Sequence, residues 1–244
     1  WYAMAERAVP MIETRTTILN KDDYAFLLAC ADDTEESPWM VASDPHLLAL
    51  QGFTVPFFLY VEEQRPDLYA SSELAVRYPK PDGSVGTVGP DALAAYAPRR
   101  VRNSFDVARE GAFPAFVLEI VSPESTRRDK QDKARLYGLL GAREYAIFDP
   151  LGADGRQLWG FHRTERDAWT RWPSEAGGSL RSAVLGLSLE AAGSLLRLRD
   201  SNGVLLPTAS EMRTGWTRAE KARAAAEARI AALEAQLRRL RERD

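Results

Sequence analysis

The sequence FVLEIVSPESTRRDKQDKARLYGLLGAREYAIFDP, residues 116–150, decides the fold of this 244-residue chain. Its two apolar runs predict buried strands, and the charged stretch between them predicts a helix over about residues 128–140. Glu119 lies inside the first apolar run, and Lys133 follows fourteen positions later on the helix. A charge in a buried strand is costly unless a metal ion or a paired cation offsets it. This segment therefore predicts a functional site.

The overall composition limits the classes of protein to which the chain can belong. A net charge of -3 excludes a protein that is basic throughout, as many nucleic-acid binders are. A lone cysteine, Cys30, excludes an intramolecular disulfide and a zinc site built from several thiolates. The longest apolar stretch, residues 53–61, is too short to span a bilayer, and we expect no signal peptide. We predict a cytoplasmic protein that does not enter a membrane.

The elements around the central segment alternate between helical and strand patterns, which predicts an α/β fold with a central sheet. A helix is predicted at 20–30 with Asn20 as its N-cap, and a second at 45–63 that Pro56 should kink or divide. Residues 68–78 have the pattern of a single strand. Further strands are predicted at 84–88, 92–97, an aromatic hairpin within 156–173, and late strands at 180–190 and 195–200 that extend the main sheet.

The C-terminal part of the chain has a heptad pattern. Its apolar positions alternate in spacing between three and four residues, with Arg223 interrupting them: Trp216, Ala219, Ala226, Ile230, Leu233, Leu237 and Leu240. This pattern predicts a coiled coil that makes the protein a homo-oligomer, most simply a dimer, although a single charged helix has a similar composition. We therefore predict one domain at 1–212 and a helical coiled-coil tail at 213–244.

Two acidic residues and one lysine could carry chemistry together. Asp91, after Pro90, opens a predicted strand, and Glu119 lies in the next strong strand. Carboxylates on adjacent strands can share a hard divalent cation such as Mg²⁺, which prefers oxygen ligands. Lys133 could then stabilise the charge that develops during phosphoryl chemistry. Taken singly, Asp91 is typical of a turn and Lys133 of a surface position.

Residues 88–150 resemble the Uma2 family of restriction endonucleases, also called DUF820. The resemblance rests on a series of residues in the family's order: Pro90-Asp91, Glu119, Ser122-Pro123, Thr126, Asp129, Lys133, Tyr137, Gly141, Glu144-Tyr145 and Asp149-Pro150. The family is assigned to the PD-(D/E)XK nuclease superfamily. The resemblance implies a restriction-endonuclease-like core, in which helices flank a central mixed sheet.

The resemblance also implies an activity, which is the metal-dependent hydrolysis of phosphodiester bonds in DNA by an endonuclease. It makes Asp91 and Glu119 ligands of Mg²⁺ or Mn²⁺, with the backbone carbonyl of Ile120 as a further ligand. The superfamily usually places its lysine two residues after the acid, where this chain has Val121. Lys133 would then be the catalytic lysine, reaching back from the helix to the strand.

Several other residues have two interpretations each. His46 resembles a histidine that the family often carries and could be accessory to the site, or it could be a capping or core histidine. Glu73 could be an additional acid or an exposed strand residue. Arg127 and Arg128 could contact DNA phosphates or face water. Asp129 could pair with Lys133 four residues later, and it also suits the first turn of a helix, where an acid is favourable.

Two further hypotheses come from other functional classes. The chain could be a nuclease fold without activity, acting as a DNA-binding or protein-interaction module assembled through its coiled coil. The net negative charge is compatible with this alternative. It could also be a structural protein that assembles with itself through the C-terminal helix.

Overall fold

The structure is a computed structural model that describes residues 20–30, 43–121, 127–152 and 156–241, without the side chains at 127–130 and 240–241. Five α-helices form in this part of the chain: α1 (Lys21–Ala29), α2 (Asp44–Gln64), α3 (Val107–Glu110), α4 (Arg127–Leu140) and α5 (Ala209–Arg241). Twelve strands accompany them: β1 (Tyr69–Ser72), β2 (Val76–Pro79), β3 (Val85–Val88), β4 (Ala92–Ala95), β5 (Phe105–Asp106), β6 (Phe116–Ile120), β7 (Glu144–Phe148), β8 (Leu158–Arg163), β9 (Trp169–Arg171), β10 (Leu180–Ser182), β11 (Leu187–Ala192) and β12 (Leu195–Arg199).

A six-stranded mixed sheet, in the order β1-β4-β6-β7-β8-β9, forms the centre of the fold. Strands β6 and β7 are parallel and α4 connects them, whereas the other neighbours in this sheet are antiparallel. Gly141, with φ at 100°, follows α4 in the left-handed conformation that suits a residue just past a helix end. These features confirm a mixed α/β fold with a central mixed sheet, flanking helices and a long C-terminal helix.

Strand β6 is buried on both faces, which explains why its sequence is an almost unbroken apolar run. Phe116, Leu118 and Ile120 point to a core shared with α2 and the late strands. Val117 points to the opposite core, which includes residues of α4. Because side chains alternate along a strand, Glu119 shares the α4 side with Val117.

The predicted single strand at 68–78 is wrong, since the chain divides it into β1 and β2. Glu73 lies between them with φ at 49°, a left-handed conformation that interrupts an extended strand. Strand β2 then leaves the central sheet and pairs with β3 and β5 in a three-stranded sheet of its own. Helix α2 continues through the buried Pro56, so this proline does not divide the second helix, and a kink there stays a prediction.

The late strands do not extend the central sheet as predicted. Instead β10, β11 and β12 form a separate antiparallel sheet. The buried side chains of this sheet share a core with α2 and the central sheet. Glu144, buried at the start of β7, holds the two sheets together. Its carboxylate accepts hydrogen bonds from the Ser182 hydroxyl and from the N–H groups of Ala183 and Val184, the last two at 2.7 and 3.1 Å.

Helix α5 begins at a capping box that the sequence prediction missed. The Thr208 N–H donates to Glu211 Oε2 at 2.7 Å, and the Glu211 N–H donates back to Thr208 Oγ1 at 3.3 Å. Arg197 on β12 also contacts Glu211 Oε2, at 2.9 Å. The helix therefore starts before residue 213, and the division of the chain into domains at that point stays a prediction.

The burial of Glu144 leads to a prediction about the pH dependence of stability. Burial raises the pKa of the Glu144 carboxyl above its ordinary value of 4.5, so the folded state binds the proton more tightly than the unfolded state. This contribution is present below pH 4.5 and is lost as the pH rises through the folded pKa. The variant Glu144→Gln should lack this loss, because the amide carries no charge. Its carbonyl can accept from the N–H groups of Ala183 and Val184, and its NH₂ can donate to the Ser182 hydroxyl.

Urea unfolding between pH 4.5 and 8 measures this effect. The free energy of unfolding of Glu144→Gln, relative to the native protein, should increase as the pH rises from 4.5 and should level off above the folded pKa of Glu144. The variant Glu165→Gln, which removes an exposed carboxylate in the turn between β8 and β9, is the control and should show no such trend. A constant difference across this pH range would contradict the assigned pKa direction.

Candidate active site

The pairing of β4 with β6 brings Asp91 and Glu119 together. The two strands are antiparallel with Ala92 opposite Leu118, so Asp91, one residue before β4, lies beside Glu119. The Ile120 N–H donates a hydrogen bond to Asp91 Oδ2 at 2.5 Å, which fixes the Asp91 carboxylate at the end of β6. Two carboxylates that are 28 residues apart in sequence thus lie side by side where β4 begins and β6 ends.

Helix α4 supplies two side chains to Glu119. Lys133 Nζ lies 3.2 Å from both Glu119 Oε1 and Glu119 Oε2. The Tyr137 hydroxyl donates to Glu119 Oε1 at 2.6 Å. Residues four apart on a helix lie on the same face, so Lys133 and Tyr137 reach the same carboxylate. The lysine does reach back from the helix to the strand, as the sequence hypothesis required.

The environment of Glu119 combines burial with charge neutralisation. Glu119 is only 8% exposed, and Tyr137 is fully buried. A carboxylate so far from solvent needs hydrogen bonds and an opposite charge, and the hydroxyl and ammonium groups supply them. The Lys133 side chain is 29% exposed, so this ion pair is partly accessible to solvent and an anionic ligand could approach it.

His46, near the start of α2, contacts the other carboxylate. His46 Nε2 lies 3.2 Å from Asp91 Oδ1, and both side chains are 15% exposed. The hydrogen bond to Asp91 raises the pKa of His46 above its ordinary value of 6.5 and favours the charged imidazolium. The structure therefore brings His46 to the site from the face of the sheet opposite to α4.

The remaining predicted residues differ in how closely they approach the carboxylates of Asp91 and Glu119. The Glu73 backbone N–H donates to the Asp91 carbonyl at 3.0 Å, but the residue is exposed. Arg127 and Arg128 begin α4, and their side chains lie outside the described part of the structure, as does that of Asp129. For Ile120 the N–H contacts Asp91, and the role of its carbonyl stays a prediction.

Sequence reasoning did not assign Tyr137 to the site. The signal was present, because Tyr137 lies one turn after Lys133 and a tyrosine in the helix at that position belonged to the family pattern. Its hydroxyl donates a hydrogen bond to Glu119 Oε1 at 2.6 Å, so Tyr137 contacts the same carboxylate as Lys133.

The donors at this site are suited to a hard divalent cation. They are carboxylate oxygens of Asp91 and Glu119, which Mg²⁺ and Mn²⁺ prefer over nitrogen or sulfur. Among the described residues, no group of three or more histidine, cysteine, aspartate and glutamate side chains could hold a metal ion. A cation held by the carboxylates of Asp91 and Glu119 would keep several water ligands, as Mg²⁺ usually does.

A family model described as "Putative restriction endonuclease" matches residues 39–193, which is more than half of the chain and includes Asp91, Glu119 and Lys133. The chain belongs to the Uma2 family. Membership in Uma2 supports a nuclease function, that is, hydrolysis of nucleic acids.

Comparisons with individual proteins add little to the family assignment. A crystal structure described as "a putative nuclease belonging to DUF820 from Anabaena variabilis ATCC 29413" is similar over 59% of this chain and 75% of its own chain, with 14% identity and a TM-score of 0.46. No curated protein matches the chain significantly. None of the described helices has the length and apolar character needed to cross a bilayer.

The contact between Lys133 and Glu119 can be measured by a double-mutant cycle. Lys133→Met should lower the free energy of unfolding by about 1–3 kcal/mol at pH 7, because it leaves a buried carboxylate without one of its donors. Glu119→Gln removes the charge that needs the cation, so Lys133→Met should cost less in that background. Urea unfolding should give a coupling energy of about 1–2 kcal/mol.

The matched control pairs Glu119→Gln with Arg166→Met, which changes an exposed arginine in the turn between β8 and β9. This pair should be additive within about 0.3–0.5 kcal/mol, as expected for distant sites. Additivity of the Lys133 and Glu119 changes would contradict the ion pair.

Proposed function

We propose that the protein is a metal-dependent endonuclease that hydrolyses phosphodiester bonds of DNA. The observation that carries this proposal is that Asp91 and Glu119 lie side by side where the paired strands β4 and β6 begin and end, with Lys133 Nζ 3.2 Å from Glu119. Two acids and a lysine are a combination suited to phosphoryl transfer, since they can hold a cation and stabilise negative charge. Membership in Uma2 supports the choice of a nucleic acid as substrate.

The cofactor that we propose is Mg²⁺ or Mn²⁺. Restriction-endonuclease-like families generally depend on a divalent metal. Asp91 and Glu119 would hold the ion, with the backbone carbonyl of Ile120 as a further ligand. When bound, such an ion lowers the pKa of a water molecule and polarises a phosphoryl oxygen.

The other side chains of the site would act on charge and position. The Lys133 ammonium, partly exposed beside Glu119, would stabilise the negative charge that grows on the phosphate in the transition state. The Tyr137 hydroxyl would hold the Glu119 carboxylate in one orientation through its bond to Oε1. His46 would do the same for Asp91 and add a second positive charge near the phosphate.

The DNA backbone would extend beyond the reacting phosphate. Arg127 and Arg128, at the start of α4, would contact neighbouring phosphates of the DNA. A cytoplasmic location completes the proposal, because a protein with a lone cysteine is compatible with a reducing compartment.

A catalytically inactive DNA-binding or interaction module is the second candidate function. The observation that favours it is that the carboxylates of Asp91 and Glu119 already have His46 and Lys133 beside them, so a metal ion would compete with these cations.

Cleavage of supercoiled plasmid DNA in Mg²⁺ or Mn²⁺ tests the proposal. The native protein should cleave, and Asp91→Asn, Glu119→Gln and Lys133→Met should each lower the rate by about 100-fold or more, because each removes a charge from the reacting centre. Glu165→Gln, which removes an exposed carboxylate in the turn between β8 and β9, is the control and should cleave normally.

Two results would contradict this account in different ways. Equal cleavage by the native protein and Glu119→Gln would show that the site is assigned to the wrong residues. Salt-dependent DNA binding without cleavage, in either metal, would favour the inactive module instead.

We also propose that the chain forms a homodimer through α5. This helix carries large apolar side chains on one line that are more than half exposed: Trp216, Ile230, Leu233 and Leu237. Apolar residues with a heptad spacing are typical of a face that packs against a second helix. A second copy of the chain supplies the same face.

A further inference from the structure

We infer that two α5 helices associate in parallel and in register, which places both nuclease domains at the same end of a coiled coil. The inference rests on the dimer proposed above and concerns its orientation. The contact surface is the heptad face, which we define as Trp216, Ala219, Arg223, Ala226, Ile230, Leu233 and Leu237. In heptad notation these residues occupy alternating a and d positions, beginning with Trp216 at a.

The dimensions of α5 suit this role. The helix has 33 residues and is therefore about 50 Å long. Trp216 is 68% exposed near its start, and Leu237 is 55% exposed near its end, so the heptad face is open over most of the helix. Ile230 at a with Leu233 at d is the combination that favours two parallel strands over higher oligomers.

The charges that flank the heptad face distinguish the two possible orientations. Within the heptad face, between Trp216 and Leu237, the e positions are Glu220, Glu227 and Glu234. In an antiparallel pair the e rows of the two copies lie against each other, so these glutamates would meet glutamates. Like charges at such short range oppose association and select against that arrangement.

The parallel pair replaces this repulsion with attraction. There, a g residue of one helix faces the e residue of the next heptad on the other helix. Arg229 is at g, and it would face Glu234 of the partner subunit, once on each side of the coil. The other g positions, Gly215, Ala222 and Gln236, are uncharged and leave the remaining e glutamates without a like charge opposite.

Arg223, the polar residue at an a position, also favours the parallel register. Its guanidinium is held within its own helix, with Nε 3.2 Å from Glu227 Oε1 and Nη1 3.7 Å from Glu220 Oε1. In a parallel pair the two Arg223 residues would meet at one level, where Glu220 and Glu227 of both copies would offset the repulsion between the two guanidinium groups. In an antiparallel pair each would instead face an apolar d residue. A single polar a residue is a known means of fixing register and oligomeric state.

The junction at the start of α5 transmits this orientation to the rest of the molecule. The capping box of Thr208 and Glu211, together with the contact from Arg197, joins the helix directly to β12. Both nuclease domains would therefore lie at the N-terminal end of the coil. Two active sites at one end could act on the two strands of a DNA duplex.

Cysteine cross-linking in the full-length chain tests the orientation. In a Cys30→Ser background, Leu237→Cys places one thiol at an a position. A parallel, in-register dimer brings the two thiols together, so mild oxidation should convert most of the protein into a disulfide-linked dimer. An antiparallel dimer with the full heptad face in contact would instead bring residue 237 close to residue 219 of the other copy.

The opposite outcome is detected by mixing two proteins, one carrying Leu237→Cys and the other Ala219→Cys. If Leu237→Cys fails to cross-link alone, and peptide mapping of the mixture finds a disulfide between positions 219 and 237, the parallel orientation is overturned. Neither sample contains DNA or metal, so failure here is separate from failure of the nuclease proposal.

Sedimentation equilibrium tests the association itself. The full chain should have the mass of a dimer at about 10 μM. Leu233→Glu, at a d position, should reduce the mass to that of a monomer, whereas the matched change Ala228→Glu, at the outward f position, should leave a dimer. A monomeric native protein at 100 μM, about ten times that concentration, would overturn both the dimer and its orientation.

Discussion

The ion pair between Lys133 and Glu119 is the interaction on which the rest of the structure depends. A carboxylate in the middle of a buried strand is unfavourable unless a neighbouring element supplies donors and a positive charge. Helix α4 supplies both, from Lys133 and Tyr137, at 3.2 and 2.6 Å. The requirement fixes the rotation of α4 about its axis, because these two residues must face the sheet. The crossover through α4 allows the neighbouring strands β6 and β7 to be parallel.

The second carboxylate follows from sheet register rather than from a helix. Asp91 reaches Glu119 because β4 pairs with β6, and a shift by one residue would turn the side chain to the other face. The hydrogen bond from the Ile120 N–H reinforces that register. Helix α2 then adds His46 from the opposite core. Four elements, α2, β4, β6 and α4, therefore bring their side chains together where β4 begins and β6 ends.

The sequence predicted the parts of this structure that depend on local patterns. The two buried strands and the helix between them are confirmed, because period and end signals such as Gly141 determine them locally. The break at Glu73 was not predictable, because strand-forming residues lie on both sides of it and only the tertiary structure requires the turn. The separate late sheet depends on Glu144 contacting residues near Ser182, a long-range contact. By contrast, the capping box at Thr208 and the placement of Tyr137 were visible in the sequence and were missed.

The most direct test of the central claim is anomalous diffraction from crystals soaked in Mn²⁺. The account predicts one or two anomalous peaks between the carboxylates of Asp91 and Glu119, with Lys133 close to the ligand waters. The same soak of Glu119→Gln crystals should weaken or remove the peaks, which controls for binding through the crystallisation solution. Manganese bound only elsewhere, or no peak between these two carboxylates at saturating Mn²⁺, would contradict the proposed metal-dependent site.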